Sequence, residues 1–437
     1  MKVLMFGWEY PPFLSGGLGT ACYGIVQGLS NNNVDVKLIL PSRRNIPPDP
    51  RQNIEILGAD EIILSEEFRC GIEQSLTFRK GSEMLSSFLS PYGTQISGNG
   101  HSAQYHLLLE EATKPGAGTI LAFTGNYGRD LMAEVFRYGI IGEFLGSQGG
   151  FDVIQAHDWL TILAGVGAKR TSGKPLIVQI HATEYDRSGD GVNQNILNIE
   201  RYGLEQADRI IAVSYYTKNV LVEKYGVDPH KVTVIHNAVE KEKQLERLGI
   251  KKNLSERYVL FLGRVTMQKG PDYFIEAANL VLKKMDNVRF VMAGSGDMMP
   301  KLIERAASLK ITDRFHFTGF LNNRQQVERM YAMSDLYVMP SVSEPFGITA
   351  FEAILYDVPI ILSKQSGVSE VLRGAMKVDF WDVPKLASAI TSLLEDENLA
   401  REMVNACKTE LRDIHWNNAG QKMKNLFHTL LFSNSMA

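Results

Sequence analysis

Two cations and two carboxylates stand just past apolar runs in the second half of this chain. Arg264 and Lys269 lie in Gly263-Arg264-Val265-Thr266-Met267-Gln268-Lys269-Gly270, directly after a strand-like stretch. A charged residue at a strand end is ordinarily just solvated, but two cations in one strand-to-helix turn can share a pyrophosphate. Arginine brings a planar fork of donors and lysine a mobile point charge. Glu344 and Glu352 bound Glu344-Pro345-Phe346-Gly347-Ile348-Thr349-Ala350-Phe351-Glu352, which follows the apolar Leu336-Tyr337-Val338-Met339-Pro340. Proline suits the first turn of a helix, where its missing N–H has no partner to lose. A helix begun at Pro345 leaves the amides of Phe346, Gly347, Ile348 and Thr349 as unpaired donors. Such a tip receives anions and hydroxyls, and Gly347 lets a ligand come close to the backbone. Glu344 enters the same crevice from the loop; Glu352, about two helical turns on, returns to a similar face.

The segments that must position these groups alternate between strand-like and helix-length pieces. Residues 2–7 read as a buried strand, followed by a loop holding Gly16 and Gly17 and a helix over 20–29. A strand, a glycine-rich turn and a helix start can cradle phosphate, although a Gly-Gly turn alone is as readily a tight corner. Residues 34–40 give a second strand and 126–138 a helix. The irregular stretch 41–118, with Pro47, Pro48, Pro50 and a Ser/Gly-rich part, is expected to be an acceptor-side insertion or an edge. Strands over 151–157 and 176–180 end at His157-Asp158-Trp159 and at His181-Ala182-Thr183-Glu184. Polar residues past the C-terminal edge of parallel strands lie where open α/β sheets bind ligands. A histidine there either lines a site or is a buried structural residue.

Strands over 209–214 and 232–237 close the first half, and the charged, core-poor stretch 241–257 reads as a linker. A second series begins at 259. Residues 288–296 end in Ala293-Gly294-Ser295-Gly296-Asp297, but Met299 stands where a third glycine would complete a dinucleotide fingerprint, so no nicotinamide site is expected. Strands over 315–321 and 359–363, a Gly367-Val368-Ser369-Glu370 turn, helices over 379–394 and 397–411, and an amphipathic stretch 416–431 follow. This alternation implies a parallel, doubly wound α/β sheet in each half.

Composition narrows the class. A chain of 437 residues suits two domains of about 200 residues. With 44% hydrophobic and 22% charged residues it is a globular protein, and a net charge of −3 offers no field for nucleic acid. Cys22, Cys70 and Cys407 are scattered, which argues against a disulfide framework or a zinc site and suits a reducing cytoplasm. No signal peptide and no transmembrane segment is expected. Asp-x-Asp, a frequent metal-binding pattern, is absent.

The Arg264–Lys269 turn, the Glu-x7-Glu unit and the strand-end histidines together resemble glycosyltransferase family 4, retaining enzymes of the GT-B type. The resemblance covers nearly the whole chain, densest over 153–237 and 258–372. It implies two Rossmann-like domains facing across a cleft: an acceptor-side domain over 1–240, a linker over 241–257, a donor domain over 258–414, and a helix over 415–437 returning to the first domain. By that resemblance Arg264, Lys269, Glu344 and His181 are catalytic, the cations on the diphosphate and the other two on the donor sugar. Gly16, Gly17, Gly294, Phe320, Leu321, Phe346, Gly347, Ile348 and Thr349 bind the donor, Glu352 its ribose. His157, Asp158 and Trp159 belong to the acceptor side.

The implied reaction moves a hexose, glucose above all, from a UDP-, ADP- or GDP-sugar to a carbohydrate acceptor. No cofactor or metal is implied, and a front-face route is favoured because the first half offers no obvious carboxylate nucleophile. Trp8-Glu9-Tyr10-Pro11-Pro12, Gly16-Gly17-Leu18-Gly19 and His157-Asp158-Trp159 lean towards glycogen and starch synthases. Leu14, however, stands where those enzymes carry the lysine of Lys-x-Gly-Gly. The other readings are transfer to a lipid, a sugar phosphate or a polysaccharide repeat unit, a phosphorylase, and a silent nucleotide-sugar binder.

Overall fold

Runs such as Val3-Leu4-Met5-Phe6 and Val153-Ile154-Gln155-Ala156 lack polar alternation, the pattern of strands covered on both faces. Each of these eight residues is indeed buried. The computed structural model describes residues 1–12, 17–43, 46–65, 68, 119–128, 130–239 and 256–434. The described strands form two parallel sheets and one short antiparallel pair.

The first sheet contains β1 (Lys2–Phe6), β2 (Asp35–Leu40), β3 (Ile54–Gly58), β6 (Val153–His157), β7 (Leu176–Ile180), β8 (Arg209–Ala212) and β9 (Val232–Val234). Its order is β3-β2-β1-β6-β7-β8-β9. Between β3 and β6 come β4 (Ile63–Leu64) and β5 (Thr119–Ile120), paired antiparallel. The second sheet contains β10 (Arg257–Leu262), β11 (Val288–Ala293), β12 (Phe315–Gly319), β13 (Leu336–Met339), β14 (Ile360–Ser363) and β15 (Met376–Val378), ordered β12-β11-β10-β13-β14-β15. Each order reverses once, at β1/β6 and at β10/β13. Two doubly wound α/β domains result, each with one crevice at its switch point.

Glycines set how closely the helices pack. A Cβ on Gly142 would fall 2.1 Å from Ala164 O, so helices Leu131–Gln148 and Asp158–Ser172 meet backbone to backbone. A Cβ on Gly24 would enter the Trp416 ring at 2.0 Å, and one on Gly420 would fall 2.3 Å from Gly28 O. The last helix, Trp416–Asn434, thus lies on helix Gly17–Asn31 of the first domain after the chain has left the second.

Three local expectations shift. The helix expected over 126–138 runs Leu131–Gln148, because the Glu134 carboxylate binds the Thr124 and Gly125 amides at 3.0 and 2.9 Å and holds the preceding segment as a loop. The helix expected from 379 begins at Val383, capped by the Asp382 side chain. The stretch 41–118 holds β3 and β4; residues 44–45, 66–67 and 69–118 of it, and 241–255 of the expected linker, lie outside the described residues.

Candidate active site

Two segments leave the C-terminal ends of β10 and β13 at the second switch point. The first carries Arg264 and Lys269, the second Glu344. They are tied together by the Gln268 carbonyl, which accepts from the Val342 and Ser343 amides at 3.0 and 3.3 Å. Lys269 Nζ forms an ion pair with Glu344 Oε2, and the buried Ser341 Oγ donates to the same oxygen at 3.3 Å. Arg264 is exposed, and one of its terminal nitrogens donates to Gln268 Oε1 at 2.9 Å. Gly294, at φ 138°, presses on the segment just before Arg264: a Cβ there would lie 1.8 Å from Gly263 O. Only glycine permits that contact.

The helix beyond Glu344 starts later than expected. It runs Ile348–Leu355 with Gly347 as N-cap at φ 102°, so Pro345 precedes it instead of opening it. The cause is a competing partner: the Pro345 carbonyl accepts from Ser214 Oγ at 2.6 Å, while Glu344 pairs with Ser366 in an isolated bridge. Phe346 also falls before the helix, its ring buried against Phe351 and His236. Since Ala350 N–H bonds Gly347 O at 3.1 Å, the amides without an intrahelical partner are those of Gly347, Ile348 and Thr349.

Glu352 is nine-tenths buried on the same helix. Its Oε1 accepts from Arg324 and its Oε2 from Tyr331 OH at 3.0 Å. Burial first, and Glu352 second, push the Tyr331 phenol well above its ordinary value, so it remains a donor. Phe320 and Leu321 leave β12 just before the helix of Arg324; Phe320 is exposed and Leu321 half-buried.

At the first switch point His157 closes β6 and His181 follows β7. His157 Nδ1 and His181 Nε2 are 2.9 Å apart, and the two rings meet edge to edge with an interplanar angle of 23°. Burial lowers both pKa values, for His157 with help from the neighbouring His181, so both rings are neutral at pH 7. Asp158 opens the next helix at φ 57°, a conformation rare outside glycine. Its Oδ1 accepts from the His181 amide at 2.6 Å and the Ala182 amide at 3.3 Å. Trp159 is buried. Gly17 begins helix Gly17–Asn31, whereas Gly16 and Leu14 lie outside the described residues.

Beneath His181, Arg187 donates to the Ala182 carbonyl at 3.0 Å and pairs with Glu184 at 3.2 Å and Glu200 at 2.6 Å. Burial pushes the Glu200 carboxyl up to about 7 despite that partner.

Side chains join the two crevices. Ser343 Oγ donates to Asp186 Oδ1 at 2.6 Å and lies 3.0 Å from Tyr216 OH. The Glu370 carboxylate accepts from the Tyr215 and Tyr216 amides at 2.9 and 2.6 Å, capping helix Tyr215–Tyr225 from the other domain, and meets His236 at 3.1 Å. The loop of His181 therefore faces the loop of Glu344. Arg264, Lys269, Glu344, Gly347, Ile348 and Thr349 share one crevice, and His157, Asp158 and His181 the other. Arg324, Tyr331, Asp186 and Ser343 escaped sequence reasoning, since each is an ordinary surface or helix residue until the fold brings its partner near. Glu370 left one trace, the turn around Gly367.

Among the described residues no group of three His, Cys, Asp or Glu could hold a metal ion, and no helix is long and apolar enough to cross a membrane.

The pattern described as glycosyl transferases group 1 matches residues 241–410, and that of glycosyltransferase family 4 matches residues 125–243. An uncharacterised glycosyltransferase of Methanocaldococcus jannaschii is 26% identical, with 98% of each chain covered. A glycogen synthase of Mycobacterium tuberculosis is 24% identical over 95% of this chain and 92% of its own. In three dimensions, HepE of Anabaena in complex with UDP and glucose aligns with a TM-score of 0.64 at 16% identity, covering 98% of this chain and 99% of that one. The fold is the GT-B arrangement of two parallel-sheet domains.

Proposed function

The chain belongs to the glycosyltransferases of the group 1 and family 4 type, and on that premise we propose that it transfers a hexose, glucose first among candidates, from a nucleoside diphosphate sugar to a carbohydrate acceptor with retention of configuration. The observation that carries this reading is the convergence of Lys269, Glu344 and the Gly347–Thr349 helix tip at one switch point, opposite His181 at the other. UDP and glucose in the HepE complex support a nucleotide-sugar donor.

In the proposed reaction the anomeric carbon–phosphate oxygen bond breaks while the acceptor oxygen bonds to the same carbon from the same face. The acceptor's proton passes to the departing phosphate oxygen. Charge grows on the diphosphate as it leaves, and Arg264, Lys269 and the helix-tip amides are the groups that would receive it. Lys269 also acts through its ion pair with Glu344, orienting that carboxylate towards sugar hydroxyls. Glu352, fixed by Arg324 and Tyr331, offers carboxylate oxygen to the ribose. His181 contacts the sugar. No metal is required in this scheme, and the reaction is assigned to the cytoplasm.

Glycogen-like α-glucan is the proposed acceptor, from the Trp8-Glu9-Tyr10-Pro11-Pro12 and His157-Asp158-Trp159 features and the full-length similarity to a glycogen synthase. Leu14, in place of that group's lysine, favours a second reading in which the same donor half serves another acceptor, such as a lipid, a sugar phosphate or a polysaccharide repeat unit.

The test is a screen of UDP-, ADP- and GDP-hexoses with glycogen and maltooligosaccharides, with and without EDTA. Elongation of the glucan, unaffected by EDTA, is expected. Turnover only with other acceptors would select the second reading, and no turnover or hydrolysis of any donor would contradict both. Mass-spectrometric trapping of a glycosyl–enzyme adduct would contradict the front-face route.

A further inference from the structure

Two imidazoles in direct contact cannot choose their tautomers independently. A neutral imidazole carries one N–H and one bare nitrogen. With His157 Nδ1 and His181 Nε2 at 2.9 Å, one of these two atoms holds the proton and the other accepts it. If His157 donates, His181 Nδ1 must carry a proton; if His181 donates, its Nδ1 is bare. Either way His181 has one nitrogen left for a ligand, and it is Nδ1. Among the described residues that atom is buried with no hydrogen-bond partner, and so is His157 Nε2. Buried polar atoms without partners are uncommon enough to need an explanation, and a ligand hydroxyl, able to donate or accept, satisfies Nδ1 in either state.

His157 is itself held in place. Its amide donates to Thr161 Oγ1 at 2.6 Å, and that hydroxyl donates back to the His157 carbonyl at 2.8 Å. Both residues are fully buried. The next residue, Asp158, anchors the His181 backbone from the same turn at 2.6 Å. One strand-to-helix turn thus fixes both the main chain of His181 and one of its ring nitrogens.

We propose that His157 is a positioning residue for sugar transfer: by occupying His181 Nε2 it fixes the ring so that His181 meets a donor-sugar hydroxyl through Nδ1. This rests on the reading of His181 as a sugar contact. It also gives His157 a role behind the site, in place of a direct acceptor contact.

The experiment uses the full chain with ring-15N histidine, His157→Phe, His157→Asn (whose amide falls near the former Nδ1) and His181→Ala. In the unmodified protein the His181 ring is expected to show a single tautomer coupled across an N–H···N bond. His157→Phe should turn that into a tautomer mixture and lower kcat for the donor found in the screen by about 10- to 100-fold, with little change in KM; His157→Asn should recover much of the loss. Ring-nitrogen signals of His181 unaltered in His157→Phe would overturn the proposal, as would equal kcat in the Phe variant and the unmodified protein. Should the Phe variant not fold, the Asn variant and the tautomer signature of the unmodified protein decide, and an uncoupled His181 there overturns it. Full turnover in His181→Ala would instead sink the parent reading, and is separable because the ring signals are read without substrate.

Discussion

The two histidines and the carboxylate between them carry opposing demands. Each buried nitrogen without a partner costs about 1–3 kcal/mol, and Asp158 adds a left-handed backbone at φ 57°. Strain of this kind survives where the surroundings over-determine it. A pH dependence follows. The pKa values of His157 and His181 are lowered in the fold, so below the ordinary value of about 6.5 the unfolded chain binds protons that the folded chain does not. Their contribution to stability therefore rises with pH up to about 6.5 and is lost as pH falls. Glu200 acts in the opposite sense: with its pKa raised to about 7, its contribution declines as pH climbs from the ordinary carboxylate range through 7. Comparing variants separates the two. The loss of Tm between pH 7 and pH 5.5 should be smaller in His157→Phe than in the unmodified protein, and an equal loss in both would contradict the assignment.

At this scale the sequence is informative about residue type but not about pairing. Arg264, Lys269, Glu344 and His181 stand out because they follow apolar runs. That Lys269 reaches Glu344, 75 residues on, or that Tyr331 and Arg324 hold Glu352, depends on contacts between distant segments that no local pattern encodes.

Among the elements, the decisive one is helix Ile348–Leu355. It starts three residues later than the sequence suggests because proline's helix-start preference is a local rule, while Ser214 in the other domain claims the Pro345 carbonyl. The strands were legible for the converse reason: parallel strands are buried on both faces, so their sequences are apolar whatever lies beside them. Gly347 sits at φ 102°, and a Cβ there would lie 3.0 Å from Met339 Sδ and 3.2 Å from Glu344 Cγ. Gly347→Ala should therefore disturb Glu344 and the helix tip together. We expect a kcat loss of at least about 10-fold with a destabilisation of about 1–3 kcal/mol, the range for strain at a special backbone position. Denaturant unfolding beside steady-state rates checks this; a stable variant with normal kcat would remove the helix tip from the mechanism.

For the whole molecule, the proposed transfer needs both crevices, and among the described residues few side chains join them. Glu370 is the most committed, accepting two amides at a helix N-terminus of the first domain and meeting His236. A carboxylate at that end of a helix is favoured by the dipole as well as by its hydrogen bonds. Glu370→Ala should loosen the domain contact. Its expected signature is a larger radius of gyration in solution scattering and a raised KM for donor. An unchanged scattering curve and KM would show that the contact does not govern the domain arrangement. Two doubly wound halves were legible from the alternation of strand and helix lengths, but which side chains bridge them was not, since the turns holding Glu370 and Ser343 carry no local sign of a partner more than 100 residues away.

The central claim, that Lys269 and Arg264 receive the leaving diphosphate, is tested most directly by calorimetric binding of a nucleoside diphosphate and the matching monophosphate. The screen identifies the base. The unmodified protein should bind the diphosphate more tightly, and Lys269→Ala and Arg264→Ala should each remove most of that preference, with kcat falling by roughly 10²–10³-fold, as for loss of a charge-stabilising donor. A preference for diphosphate that persists in both variants would contradict the account.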